Sequence, residues 1–290
     1  MGAAYARPLQ GVVFLVMAVA CFALLDSTVK VLSVTVSVLM VAWFRYIFQA
    51  VVMAGFVLST TGWRSLRTQR PGQHAVRGVL LLLTSVLGFA SLIYMPVGEF
   101  TAIIMLTPLV VTLLAAVFLK EQVDLVRWLL VTGGLAGALL VIQPTGQAIG
   151  WPVAMPLAMV LIYACFQILT SRMARTEDAM TMHFYTGWTG ALLISLLLPW
   201  FWTTVEDWKT LLLLCLAGFF GTVGHFLLIQ AFKRAPAATL APYLYTQIGF
   251  ALLAGWVFFD HVPGALELWG IGLIVVGGAT IAWLSARQGR

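Results

Sequence analysis

Apolar runs of about 20 residues follow one another along nearly the whole chain, and each is long enough for a helix to cross a bilayer. Hydrophobic residues make up 62% of the 290 positions and charged residues only 9%, with a mean hydropathy of +1.02. A soluble domain is normally about 45–50% apolar and about 25% charged, so a water-soluble fold is excluded. The runs also lack the alternation of a transmembrane β-barrel. The sequence therefore predicts an all-α integral membrane protein.

The apolar runs divide into ten predicted membrane spans, which leave little chain outside the bilayer. The longest connection, residues 59–75, has no room for a further domain, and the first run is too long for a cleavable signal peptide. Cys21, Cys165 and Cys215 lie inside the runs, and we expect buried thiols rather than disulfide or metal partners. The predicted spans are residues 9–32, 38–58, 76–95, 97–118, 126–143, 152–171, 181–203, 210–232, 237–259 and 265–285.

The basic residues orient these spans in the membrane. With the N-terminus in the cytoplasm, Lys30 and Lys209 fall outside, Arg45 lies within a span, and the other 13 basic residues fall inside. Retention of positive charge on the cytoplasmic side sets helix orientation, so both termini are predicted to be cytoplasmic. The net charge of +6 is therefore explained by the orientation of the spans in the membrane, and we expect no nucleic-acid partner. The residues on the inner side are Arg7, Arg64, Arg67, Arg70, Arg77, Lys120, Arg127, Arg172, Arg175, Lys233, Arg234, Arg287 and Arg290.

The chain also resembles itself when it is displaced by 140–144 residues. Residues 20–27 lie over residues 164–171 with five of eight identical, and Pro96 lies over Pro236. These matches predict a duplication. Because each half then holds an odd number of spans, the second half must enter the bilayer from the opposite side.

We therefore expect two inverted five-helix repeats, residues 1–147 and 148–290, that together form one transmembrane domain. Inverted repeats are typical of secondary transporters, in which two similar halves open a midplane site to each side in turn. Pro108 and Pro242 are predicted to break the fourth and ninth spans, which correspond in the two halves. Such breaks fit a water-lined cavity, although a tolerated kink is the alternative.

Four stretches carry a likeness to a known family. Residues 95–128, which begin MPVGEFTAIIMLTP, and residues 235–263, which begin APAATLAPYLYTQ, resemble the fourth and ninth spans of the drug/metabolite transporter superfamily in its ten-span EamA branch. The FALLDSTVK segment (22–30) and the WFRYIFQ segment (43–49) match its first two helices. The second half is similar to bacterial carriers of the S-adenosylmethionine and riboflavin type. The resemblance implies a multi-pass transporter of the bacterial inner membrane, and it leaves the direction of transport open.

Three ionisable residues within the spans are candidates for coupling or gating. Asp26 and Arg45 each lie about 9–10 Å from the same end of their spans, so both should face the protein interior and pair. The pair is either a structural ion pair or a substrate or proton site. The family likeness favours a role for Arg45 in holding the fold or the outer gate. His225 is either a proton relay or a hydrogen-bonded packing residue.

The predicted substrate site lies near the middle of the ninth span, where tyrosine rings can stack on a flat ligand and an amide can bind it. Residues of the sixth and seventh spans would complete the cavity, unless they are packing residues. Glu99 occupies the first turn of the fourth span, where it either caps the helix or meets a cationic substrate. The candidate substrate residues are Tyr243, Tyr245, Gln247, Tyr163, Gln167, Trp188 and Glu99.

The sequence lacks the phosphate loop GxxxxGK[ST], the zinc motif HExxH and the nucleophile turn GxSxG. We therefore expect neither a cofactor nor enzymatic activity. The predicted function is a secondary carrier for a small polar or aromatic metabolite, such as an amino acid, a vitamin or a nucleoside-like compound. Transport is predicted to be either facilitative or coupled to protons. The carrier is expected to work in lipid as a monomer or a homodimer. An intramembrane enzyme acting on lipid, an amino-acid or drug efflux carrier of the same fold, and a channel are the alternatives.

Overall fold

A computed structural model describes residues 8–60, 62–94, 97–144, 150–205, 207–259 and 262–288. The secondary structure of these residues consists of helices joined by short connections. The described residues form 13 α-helices, α1 to α13, and three 3₁₀ segments, Trp63–Leu66, Trp151–Val153 and Ala241–Tyr245. The α-helices are α1 (Pro8–Leu32), α2 (Val38–Thr60), α3 (Pro71–Tyr94), α4 (Val97–Ile104), α5 (Thr107–Phe118), α6 (Leu125–Ile142), α7 (Ala154–Met173), α8 (Ala179–Ser195), α9 (Leu198–Phe201), α10 (Trp208–Arg234), α11 (Ala237–Leu240), α12 (Thr246–Phe259) and α13 (Ala265–Gln288).

Each of the ten predicted spans falls mainly on helical chain. Seven helical stretches are long and apolar enough to cross a membrane among the residues that the structure describes, and the part Ala265–Thr280 of α13 is a shorter apolar stretch. The predicted span 181–203 is divided, since α8 ends at Ser195 and Pro199 lies in the first turn of α9. Proline has no N–H group for the preceding turn, so the helix restarts there. The all-helical membrane fold agrees with the sequence, and ten crossings remain a prediction.

The two halves of the chain pack on each other through matching helices. Helix α1 packs on α10 and α12, and its counterpart α7 packs on α3 and α5. Helix α2 packs on α8, and α6 packs on α13. This set of contacts is unchanged when corresponding helices of the two halves are exchanged.

The outer surface of the bundle is apolar. Val117 and Phe118 are 60% and 70% exposed, and the residues that align with them in the second half, Val257 and Phe258, are 60% and 62% exposed. Large exposed apolar surfaces are unfavourable in water and suit a lipid environment. Cys165 and Cys215 also lie exposed on the bundle and Cys21 is half-buried, so the expectation of three buried thiols is wrong. Lipid-facing and buried positions accept the same small apolar residues, which is why composition does not separate them.

Both proline-containing segments interrupt their helices. Helix α4 ends at Ile104, and α5 starts again at Thr107 with Pro108 in its first turn. In the second half, α11 gives way to the 3₁₀ segment Ala241–Tyr245, which contains Pro242, before α12 begins. The interruptions occupy corresponding places in the two halves.

Neighbouring glycines of α6 provide a matched test of this packing. A Cβ atom on Gly134 would lie 2.7 Å from Cε2 of Tyr245, whose ring is fully buried, whereas a Cβ on Gly133 would meet nothing within 4 Å. We expect Gly134→Ala to destabilise the protein by about 1–3 kcal/mol through overpacking. Gly133→Ala should stabilise it by about 0.5–1 kcal/mol, because alanine is the better helix former. Thermal unfolding in detergent measures both, and equal shifts would contradict the packing described here.

Candidate functional site

Asp26 lies on the inward face of α1. Leu15 and Val19 are fully buried on the same stripe, while Met17 is 50% exposed on the lipid-facing side. Asp26 follows Met17 by nine positions, and at about 100° per residue this places the two side chains on opposite faces. Asp26 is nevertheless exposed, although protein atoms surround its carboxylate. Its side chain therefore faces an accessible opening inside the bundle.

A hydrogen bond across this opening joins the two halves of the chain. The Nε2 atom of Gln247 donates to Oδ2 of Asp26 over 3.0 Å. Gln247 is the second residue of α12, just after the 3₁₀ segment that interrupts the helix. The interruption thus lies next to the acidic group.

Arg45 lies close to Asp26 without bonding to it directly. Its Nη2 atom donates to Oγ of Ser85 over 2.8 Å, and its Cζ atom stands 4.8 Å from the centre of the Tyr46 ring. Within the described ranges, Asp26 and Arg45 form no ion pair, so the expected direct pairing is wrong. The two charges still interact at longer range. One N–H group of the Arg45 guanidinium thus bonds to Ser85, while the Asp26 carboxylate accepts from Gln247.

Aromatic rings continue the site away from Asp26. Tyr163 lies near both Asp26 and Arg45, and its ring stacks on Phe166 with 5.9 Å between centroids. The Phe166 ring meets His225 edge to face at 5.9 Å. We call the following residues the central cluster: Asp26, Arg45, Tyr163, Phe166, His225 and Gln247.

Two predicted tyrosines lie away from the central cluster. The ring of Tyr243 is 3.5 Å from a Cβ position on Gly278 of α13, and the ring of Tyr245 packs against Gly134 of α6. Both rings are buried, and their hydroxyl groups have no hydrogen-bond partner. Of the three residues predicted in the ninth span, the structure brings Gln247 alone to Asp26.

The other predicted substrate residues are also dispersed. Trp188 is 37% exposed and contacts Phe184, so the structure does not bring it to the central cluster. Gln167 follows Phe166 on α7 and is fully buried, with both polar atoms of its amide unpartnered. Glu99 lies in the first turn of α4, and its side chain is outside the described part of the structure.

Arg77 is a residue that the sequence patterns do not identify as a site candidate. Its predicted place on the cytoplasmic side stays a prediction, and its side chain is fully buried in the bundle. Its Nε atom donates to Oγ1 of Thr170 over 2.8 Å, and its Cζ atom stands 4.9 Å from the centre of the Phe166 ring. The sequence carried one signal, since Arg77 falls inside the predicted span 76–95.

Polar contacts between the halves close the end of the bundle at which α3 begins and α7 ends. Glu121 accepts from the backbone N–H of Ala238 over 2.9 Å and pairs with Arg175 over 2.9 Å. The Nε2 atom of His74 donates a hydrogen bond to Oε2 of Glu177 over 3.2 Å. Burial lowers the pKa of His74, with Glu177 opposing the shift, so the imidazole is neutral at pH 7. These contacts hold the two halves together at this end, whereas Asp26 is accessible.

Helices with an apolar outer surface and an accessible acidic residue between two halves define a multi-pass membrane protein. Comparison with known sequences makes this more specific. The chain belongs to the EamA-like transporter family, whose sequence model matches residues 9–143 and again residues 150–283. The membership that the sequence motifs indicated is therefore confirmed.

Three curated relatives are transporters of different compounds. The chain is 29% identical to a riboflavin transporter of Rhizobium johnstonii, over 93% of this chain and 89% of the relative. It is 27% identical to an S-adenosylmethionine uptake transporter of Rickettsia conorii, over 81% and 79%, and 28% identical to a pseudopaline exporter of Pseudomonas aeruginosa, over 97% and 98%. A solved crystal structure aligns over 97% of both chains with a TM-score of 0.79 at 19% identity, which shows the fold alone.

Proposed function

We propose that this protein is a secondary carrier that moves a small polar or aromatic metabolite across the bacterial inner membrane by alternating access. The observation that carries the proposal is the asymmetry of access to one internal site. Asp26 is exposed to an opening in the bundle, while the contacts of Glu121 and Glu177 close one end. A carrier must hold its site open to one side and closed to the other.

The duplicated architecture supports this mechanism. The family model matches the chain twice, and the helix contacts between the halves keep their pattern when the halves are exchanged. We infer two inverted repeats, residues 1–147 and 148–290, with both termini in the cytoplasm. In such an arrangement, exchanging the conformations of the two halves turns an inward-open state into an outward-open state. The two states therefore have similar free energies.

The central cluster suits a flat, polar ligand. Tyr163 offers a half-buried ring that is backed by the buried Phe166, and Asp26 with Gln247 offers a hydrogen-bonding edge near it. Riboflavin and S-adenosylmethionine, which relatives carry by name, both contain a heteroaromatic ring system. Because another relative is an exporter, the comparisons do not favour uptake over export. Transport is either facilitative or coupled to protons through Asp26.

Counterflow in proteoliposomes tests the proposal. Vesicles preloaded with unlabelled riboflavin or S-adenosylmethionine should take up the labelled compound several-fold faster than empty vesicles, because a carrier exchanges its substrate across the membrane. Mass spectrometry of the vesicle contents should find the compound unchanged. A chemically altered product would support the intramembrane enzyme instead, and uptake insensitive to preloading would support a channel.

Gln247→Ala should weaken binding of the transported compound about three- to tenfold, since a hydrogen bond contributes about 0.5–1.5 kcal/mol. The bond between Gln247 and Asp26 lies at the accessible opening, where a ligand would meet both groups. Tyr243→Ala tests the predicted tyrosine contact in the same titration. Unchanged affinity in both variants, at normal expression, would remove the ninth span from the site.

A further inference from the structure

Arg77 is a buried cation whose bonding is incomplete. Its partners are Oγ1 of Thr170, the backbone carbonyl of Met182 at 2.9 Å, and Oγ1 of Thr186. All three are neutral, and the structure records no ion pair of Arg77 with any described carboxylate. The Nη2 atom is buried without a partner. Burying a charge costs free energy unless the charge is paired. This guanidinium would therefore be stabilised by an anion bound to its unpartnered N–H group.

The unpartnered nitrogen lies next to the central cluster. Tyr163, Phe166 and Thr170 occupy one face of α7 at spacings of three and four residues, which covers about 10 Å along the helix. Asp26 lies near the first of these residues, and Arg77 bonds to the last. The face therefore runs from the neighbourhood of Asp26 to Arg77.

Other unpartnered polar atoms accompany Arg77 in this buried region. His225 contacts Phe166 with its ring and has an unpartnered Nδ1 atom. On the adjoining stripe of α7, Gln167 and Ser171 are fully buried with unpartnered side-chain polar atoms. Buried polar groups in proteins normally have hydrogen-bond partners. Several buried polar groups without such partners in one region point to a ligand or to bound water.

The partners of Arg77 all belong to the other half of the chain. Arg77 is on α3, whereas Thr170 is on α7 and both Met182 and Thr186 are on α8. If the halves separate at this end during the transport cycle, the guanidinium loses these neutral acceptors. A carboxylate or phosphate replaces them well, because hydrogen bonds to an ionised acceptor are about twice as strong as neutral ones. Such an anion would bind the open state better than the closed state and so favour opening.

We propose that Arg77 binds an acidic group of the transported metabolite, a carboxylate or a phosphate, when the end of the bundle formed by α3, α7 and α8 opens. The inference rests on the proposed carrier function and adds a substrate class to it. The central cluster receives the ring system of the metabolite, and Arg77 receives its negative charge deeper in the path.

Two pairs of compounds that differ by one acidic group test this site. Counterflow of labelled S-adenosylmethionine or riboflavin is measured against four unlabelled competitors: S-adenosylmethionine, its decarboxylated form, riboflavin, and its 5′-phosphate. In the wild-type protein, the acidic member of at least one pair should compete at a concentration at least tenfold lower than its partner compound. The first pair reports on a carboxylate and the second on a phosphate.

Variants of Arg77 assign the discrimination to that side chain. Arg77→Gln should reduce the difference within the pair to less than threefold, and Arg77→Lys should keep part of it. Thr186→Val removes a neutral acceptor and leaves the guanidinium, so it should retain the difference and control for loss of folding. Equal competition within both pairs in the wild type, or full discrimination in Arg77→Gln, would overturn the inference. Absence of exchange with every compound would instead reject the carrier function itself.

Discussion

Asp26→Asn is expected to abolish the dependence of transport on a pH gradient, with at least a tenfold loss of gradient-driven accumulation and a smaller loss of exchange. Asparagine has the same shape and can still accept the bond from Nε2 of Gln247. It cannot carry a charge or release a proton. Placing an ionised side chain inside the membrane costs about 2.5–3.5 kcal/mol of insertion free energy. An apolar side chain would pack at this position without that cost, which favours a functional role for the carboxylate.

Proteoliposomes with an imposed pH gradient measure this effect, with counterflow and thermal unfolding on the same preparations. The melting temperature should stay level or rise, because the substitution removes a charge from a helix that crosses an apolar layer. Asp207→Asn is the matched control, since Asp207 is an exposed helix cap at the start of α10 and asparagine caps equally well. A loss of folded protein that parallels the loss of transport would show that Asp26 is structural. Wild-type transport without any response to pH would favour a facilitative carrier.

Glu121→Gln is expected to open the sealed end of the bundle. The carboxylate accepts from the backbone N–H groups of Ala237 at 3.3 Å and Ala238 at 2.9 Å, and it pairs with Arg175. Glutamine keeps one acceptor oxygen and loses the charge. Hydrogen bonds to charged groups contribute about 1.5–3 kcal/mol, which corresponds to a shift of about 10- to 100-fold toward the open state.

A reporter cysteine measures this opening. Ala174, which is 2% exposed beside the contacts of Glu121, is replaced by cysteine after the three native cysteines have been changed to serine. A membrane-impermeant maleimide should label the reporter at least tenfold faster in Glu121→Gln than in the parent. Asp124→Asn is the matched control, because Asp124 lies in the same connection but caps α6 within its own half. Identical labelling rates in all three proteins would exclude Glu121 as an element of the seal.

Sequence patterns predicted the helices better than they predicted the site. The run 38–58 lies within Val38–Thr60, and the run 210–232 lies within Trp208–Arg234, because a membrane-crossing helix needs a long apolar segment that can be counted directly. The exposed thiol of Cys165 shows the limit of this pattern. Lipid and protein interior select the same residues, so hydropathy does not identify the inward face of a helix.

The residues around Pro242 show why the site was harder to predict. Tyr243 and Tyr245 lie in a 3₁₀ segment, which turns about 120° per residue, whereas Gln247 lies in the α-helix that follows. The change of geometry directs the three side chains to different neighbours, so that Gln247 alone reaches Asp26. Their proximity in sequence therefore suggested a cluster that the fold does not form.

The membrane environment, the helical class and the family of this protein follow from its amino-acid sequence, because each depends on the length and order of apolar runs and on local motifs. Two contacts follow from the three-dimensional fold alone: Arg45 bonds to Ser85 and not to Asp26, and Arg77 is buried between the halves. Those contacts join residues that are distant in the chain. Their partners are chosen by the rotation and packing of whole helices, which no local pattern records.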